Sequence, residues 1–163
     1  MNQSLTTRVR YTLAYLQAGV FILLFSNLVW LPYAHAGPEG GTVTGGSGTI
    51  DHNGNTTNIN QNSQNMAIDW QSYNLNSNEI VNYIQPNSSS ISLNRILSNN
   101  GSQIHGQINA NGQVILVNPH GVFFGPGASI NVGGIVASSL DMNPTDFMNG
   151  NYVFSEVFLD ART

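Results

Sequence analysis

Gln113–Leu140 reads QVILVNPHGVFFGPGASINVGGIVASSL: four apolar, strand-like runs, each cut off by Asn, Pro or Gly within a few residues. A sandwich of hairpins spaces its strands about 8–12 residues apart. The runs here are more crowded than that. Val114–Val117 and Val122–Phe124 are apolar at successive positions, which predicts strands covered on both faces or lying at a corner. Crowded short strands with Asn/Gly corners fit a parallel β-helix, in which each coil stacks on the one before it. The period is not crisp, so on pattern alone an antiparallel sandwich stays open.

The same habit extends backwards to Ile50. TTNINQ (56–61) alternates β-branched or apolar residues with polar ones, and MAIDWQSYNL (66–75) carries Ile68, Trp70, Tyr73 and Leu75. EIVNYIQP, SSISLNRIL and SQIHGQINANG follow, and DFMNGNYVF closes the series. Gly37 to Gly48 is a Gly/Thr/Ser lead-in, a short strand or a flexible entry. No segment carries a 3.6-residue apolar stripe, although Pro144 and Asp146 suit the start of a single helical turn in NPTDFM. The chain is all-β.

Its 163 residues suggest one domain. Only 7% of them are charged, cysteine is absent, and Arg8, Arg10, Arg95 and Arg162 are the four basic residues. Without a basic patch, nucleic acid is not an expected partner. Residues 1–36 read as a secretory signal peptide for the Sec export machinery. Arg8 and Arg10 form its positive start, Ala18 to Trp30 its apolar run, and Ala34-His35-Ala36 a small-x-small cleavage site before Gly37. The competing reading is a membrane span, but Ser26 and Asn27 interrupt a run that falls short of about 18 apolar residues. From Gly37 onward, two Arg face eight Asp and Glu, a formal charge of −6. An exported chain without thiols draws its stability from sheet packing and not from disulfides.

Asn118-Pro119-His120-Gly121 has a complete local explanation as a turn. Pro119 fixes φ, Asn118 can bond back to the backbone, and Gly121 suits the exit position. His120 stands where a short polar residue tolerating bridge or left-handed geometry is more usual. Catalysis finds little support. Asp51, Asp69, Glu79, Asp141, Asp146, Glu156 and Asp160 lie scattered singly in sequence, whereas carbohydrate hydrolysis needs paired carboxylates. Asp69 reads as a solvent-facing strand residue, and Arg95 as a local ion-pair or turn partner. His52, His105 and His120 lack metal-ligand spacing. No cofactor or metal is expected, and the protein is not expected to be an enzyme. Trp70, Tyr73 and Tyr83 offer an alternative as a glycan-stacking platform, with core packing the simpler role for Trp70.

NGNTTNINQNSQNMAIDWQSYNLNSNEIVNYIQP, SLNRI, SQIHGQINANGQVILVNP and GVFFGPGASINVGGIVASSL occur here in a fixed order. In these motifs the chain strongly resembles the amino-terminal secretion domain of two-partner-secretion exoproteins, the filamentous haemagglutinin (haemagglutination activity domain) and high-molecular-weight adhesin group. The resemblance covers about Gly48 to Phe154. It implies a secretion domain over 37–154, a non-matching tail over 155–163, and a right-handed parallel β-helix with amino-terminal capping and extra-helical strands.

It further implies recognition by an outer-membrane β-barrel transporter with periplasmic POTRA domains. The product would be secreted or at the cell surface of a Gram-negative-type cell, with a host-cell or glycan target for the exoprotein. The family's Asn-Pro-Asn-Gly-Ile turn corresponds to Asn118, Pro119, His120, Gly121 and Val122, the transporter-recognition motif the resemblance implies. His120 and Val122 depart from it. Trp70, Asn94, Arg95, Asn111, Gly112, Gly133 and Gly134 fall on the family's structural motifs. A second signal, Asn-Pro-Asn-Leu, survives only as Asn74-Leu75.

Overall fold

The computed structural model describes residues 37–156, so the leader with Ala34 and Ala36, and the tail from 157 onward, lie outside the described residues. Twelve strands build the body: β1 (Thr42–Gly45), β2 (Gly48–Asn53), β3 (Thr56–Gln61), β4 (Asn65–Trp70), β5 (Ile80–Ile84), β6 (Ile91–Ile96), β7 (Ser102–Ile104), β8 (Gln107–Ala110), β9 (Gln113–Val117), β10 (Val122–Phe124), β11 (Ser129–Asn131) and β12 (Gly134–Ser138). On one face β4, β6, β9 and β12 pair in parallel; on a second, β3, β5, β8 and β11 do the same. The third face holds the β7–β10 pair and a parallel bridge from Leu75 to Ile104. The result is a right-handed parallel β-helix of about four turns. Its amino-terminal end is closed by two antiparallel strands, β1 on β4 and β2 on β3.

Strand alternation decides what enters the lumen. In β3 the buried positions are Thr57, Ile59 and Gln61, every second residue. In β9 Val114 and Leu116 join Ile59, Trp70, Tyr73, Val81 and Ile108 in the inner core. Ile115 and Val117 point the other way, into a second core with Ala67 and Leu93. The VILV run is therefore covered on both sides, as its unbroken apolarity predicts.

Cover for the second side comes from the chain after β12. It doubles back over the first face as β13 (Asp141–Met142), helix α1 (Pro144–Met148) and β14 (Phe154–Ser155). We refer to this segment as the clasp. The Asn143 side chain caps α1 by accepting from the Thr145 and Asp146 backbone N–H groups. Met142 and Phe147 are fully buried, and Met148 and Phe154 pack beside them. The single helical turn in NPTDFM is thus present, and its purpose is to present Phe147. The preceding VFF run behaves otherwise. Val122 packs on the inner core, but Phe123 is 51% exposed and Phe124 37%. No described strand follows β10 on the third face, so no described coil covers its far side.

Candidate functional site

The Asn-Pro corner is built around one completely buried side chain, that of Asn118. Its amide donates to the Asn100 carbonyl at 3.1 Å and to Ser102 Oγ at 3.0 Å, while its Oδ1 accepts from the His120 backbone N–H at 2.9 Å. The Gly121 N–H closes the turn on the Asn118 carbonyl at 2.8 Å, and the Asn118 N–H donates to Ser138 on the next coil. One residue thus ties together the corners of three successive coils. Neither central residue of the turn has positive φ, which makes it type I. The left-handed step is taken by Gly121 at φ 91, not by His120. His120 needs no special backbone geometry, and with Pro119 it stands exposed. The two line a groove of about 610 Å³ shared with Leu97, Leu140, Arg95 and Asp141.

Arg95 forms the floor of that groove and corrects the view of the carboxylates as isolated. Its Nε and Nη2 grip Asp141 at 2.9 and 3.0 Å, and its Nη1 reaches both oxygens of Asp69 at 3.1 and 3.2 Å. Asp69 faces outward, but it is paired and only partly exposed. Burial works against the Arg95 cation, yet the hydrogen bonds and charges of Asp141 and Asp69 outweigh it and raise the guanidinium pKa. Two acids 72 positions apart in sequence are therefore clamped on one cation. That arrangement ties the rung at Asp69 to the clasp at Asp141.

Inside the lumen, Asn94 is the central acceptor. Its Oδ1 receives Trp70 Nε1 at 3.0 Å and the Tyr83 hydroxyl at 2.9 Å, and its amide donates to Ser92 and to the Ile115 carbonyl. Because Tyr83 spends its proton on Asn94, the Tyr73 hydroxyl donates to Tyr83 at 3.0 Å. Burial pushes both phenols well above their ordinary range. A surface stacking platform of Trp70, Tyr73 and Tyr83 is thus overturned, since all three are buried.

The remaining motif residues are corner pieces. The Asn111 side chain pairs with both the N–H and the C=O of Gln85, and the Gly112 N–H donates to Gln85 Oε1. A Cβ on Gly112 would stand 2.6 Å from the Ser90 carbonyl, and one on Gly133 2.8 Å from the Gly112 carbonyl. These glycines let consecutive corners stack backbone to backbone. Gly134 has room for a side chain. Buried Gln61 and Gln85 carry the same job inward, Gln85 donating to Gln61 Oε1 and to the Ser90 and Gln113 carbonyls. Sequence reasoning did not single out Gln85, although a polar residue recurring at the end of neighbouring strands was the available signal. Among the described residues, no group of three His, Cys, Asp or Glu is placed to hold a metal.

The comparisons with known proteins show the class to which this capped, right-handed β-helix belongs. The TPS secretion domain family matches residues 34–161. A heme/hemopexin-binding protein of Haemophilus influenzae is 35% identical over 134 residues, covering 81% of this chain and 15% of that protein. A second one from the same species is 37% identical over 115 residues, covering 71% and 12%. The crystal structure of the HMW1 secretion domain from Haemophilus influenzae superposes with a TM-score of 0.71 at 36% identity, covering 77% of this chain and 33% of that one. The chain belongs to the TPS secretion domain family and is the secretion domain of a two-partner exoprotein. It spans about 15% or less of the length of these two relatives.

Proposed function

We propose that the domain is the export address of a longer exoprotein, read by the periplasmic POTRA domains of an outer-membrane β-barrel transporter. Residues 1–36 would deliver it to the periplasm through the Sec machinery, with cleavage before Gly37. The observation that carries this reading is the corner at Asn118: a buried amide holds Pro119 and His120 out at the rim of a groove, on a fold shared with a known secretion domain. Extended segments of a partly folded chain could add to sheet edges of the transporter by strand augmentation. A coil-by-coil fold can grow vectorially as the chain emerges, so folding outside the cell would supply direction. No catalysis is assigned: Asp69 and Asp141 are both ion-paired to Arg95. The attached activity is proposed to be of the adhesin, haemagglutinin or haemolysin kind. The two relatives add heme or hemopexin binding to the activities worth assaying.

Asn118→Ala tests the address. It removes the pin without touching the leader, so cleaved protein should accumulate in the periplasm while export falls. Unchanged export would refute the role. His120→Asn restores the family turn and leaves the buried contacts intact; a loss of export there would show a transporter adapted to imidazole.

A further inference from the structure

We propose that the apolar stripe beneath the clasp is a docking surface for the transporter, exposed when the clasp opens and masked when it closes. The inference rests on the export reading above. The stripe is a register column. Ala67, Leu93 and Ile115 align on β4, β6 and β9, and the column runs on to Val136 on β12. The clasp buries the first three, but Val136 remains 44% exposed. A partner thus meets an accessible foothold continuous with a masked surface.

The seated clasp shows what chemistry the surface accepts. It offers Met142, Phe147, Met148 and Phe154 to the stripe and a carboxylate, Asp141, to Arg95. The occupant is therefore a short transporter segment presenting apolar side chains and one acidic group. Charge points the same way, because Arg95 is the one basic residue between Gly37 and Glu156 and it lies at the edge of the stripe.

The clasp is also suited to yield. It follows in sequence every strand that it covers, so the stripe exists before its cover does. Helix α1 has five residues, far fewer than an isolated helix needs, and β13 and β14 share two residue pairs. Its hold comes from packing, the Arg95 pair, and two bonds from Asn65 to the Phe147 carbonyl and the Tyr152 hydroxyl. Local units of this kind open well below the global unfolding free energy.

A reversible lock makes the test. A Cβ on Gly45 would stand 2.8 Å from Met148 Cγ, the place a cysteine Sγ at 148 would occupy, and this suits the roughly 3 Å from Cβ to the far sulfur across a disulfide. The chain has no cysteine of its own, so Gly45→Cys with Met148→Cys gives one bond. Binding of purified transporter, in detergent micelles, is then measured for the oxidised and reduced full chain, with circular dichroism confirming the fold of both. Oxidised protein should bind at least about tenfold more weakly than reduced, since apparent affinity scales with the open fraction. Asn143→Ala, which uncaps α1, should bind about fivefold more tightly than wild type. Equal binding by oxidised and reduced protein would overturn the masking. So would weaker binding on uncapping. If wild-type protein fails to bind at all, the export reading falls as well, a result distinct from a lock without effect.

Discussion

The molecule has two cores on opposite sides of one sheet, and they are built on different terms. The inner one mixes large apolar side chains with a closed polar network around Asn94, every donor of which is satisfied. The outer one is apolar throughout, with its single ionic contact, Arg95 to Asp141, left at the partly exposed edge. Polar contacts in the lumen fix which coil sits over which, because a slipped register would strand Trp70 Nε1 and two phenols without acceptors. Apolar contacts under the clasp demand less. They can be made, lost and remade without leaving a buried donor unpaired.

Substitutions can break this contrast, and the largest effect should fall in the lumen. Asn94→Ala orphans the Trp70 and Tyr83 donors together, and unfolding in urea should show a loss of about 3–5 kcal/mol. Phe147→Ala should cost about 3 kcal/mol of clasp packing, read by hydrogen exchange as faster opening of residues 141–155, with coil protection largely kept. Arg95→Met should cost about 1–2 kcal/mol, reduced by the partial exposure of all three groups and by salt.

Alkaline pH sharpens the comparison from another side. Tyr73 and Tyr83 have folded pKa values raised above the ordinary 10.0, so their contribution is complete below that value and is lost progressively as pH rises beyond it toward the raised folded values. Stability should stay level to about pH 9 and fall beyond about pH 10, a fall that Tyr73→Phe with Tyr83→Phe should flatten. His120→Asn, on an exposed turn, should change stability by less than about 0.5 kcal/mol.

Much of the fold is legible in the chain. The unbroken VILV run announces strands covered on both sides, TTNINQ announces a half-buried edge of the lumen, and the Asn/Gly corners announce stacking. VFF misleads, because apolarity cannot say whether a further coil lies above a strand. The Arg95 clamp was hidden for a different reason. Asp69 reaches Arg95 through the rung register and Asp141 through the returning clasp, and the register is not written as a fixed period. Asn58 and Asn82 stack across 24 residues, whereas Asn82 and Asn109 stack across 27. In the candidate site, the turn itself was readable from Pro119 and Gly121. The burial of Asn118 was not, because its partners Asn100 and Ser102 belong to the coil before.

The Asn58–Asn82–Asn109 ladder carries a lesson about change over time. Amide bonds of 2.9 and 2.8 Å keep these three side chains aligned despite unequal lengths of chain between them. Any insertion that leaves such columns aligned costs little more than loop entropy, which grows slowly with length. The bends of this protein are therefore free to drift in length while the stacked interior stays the same.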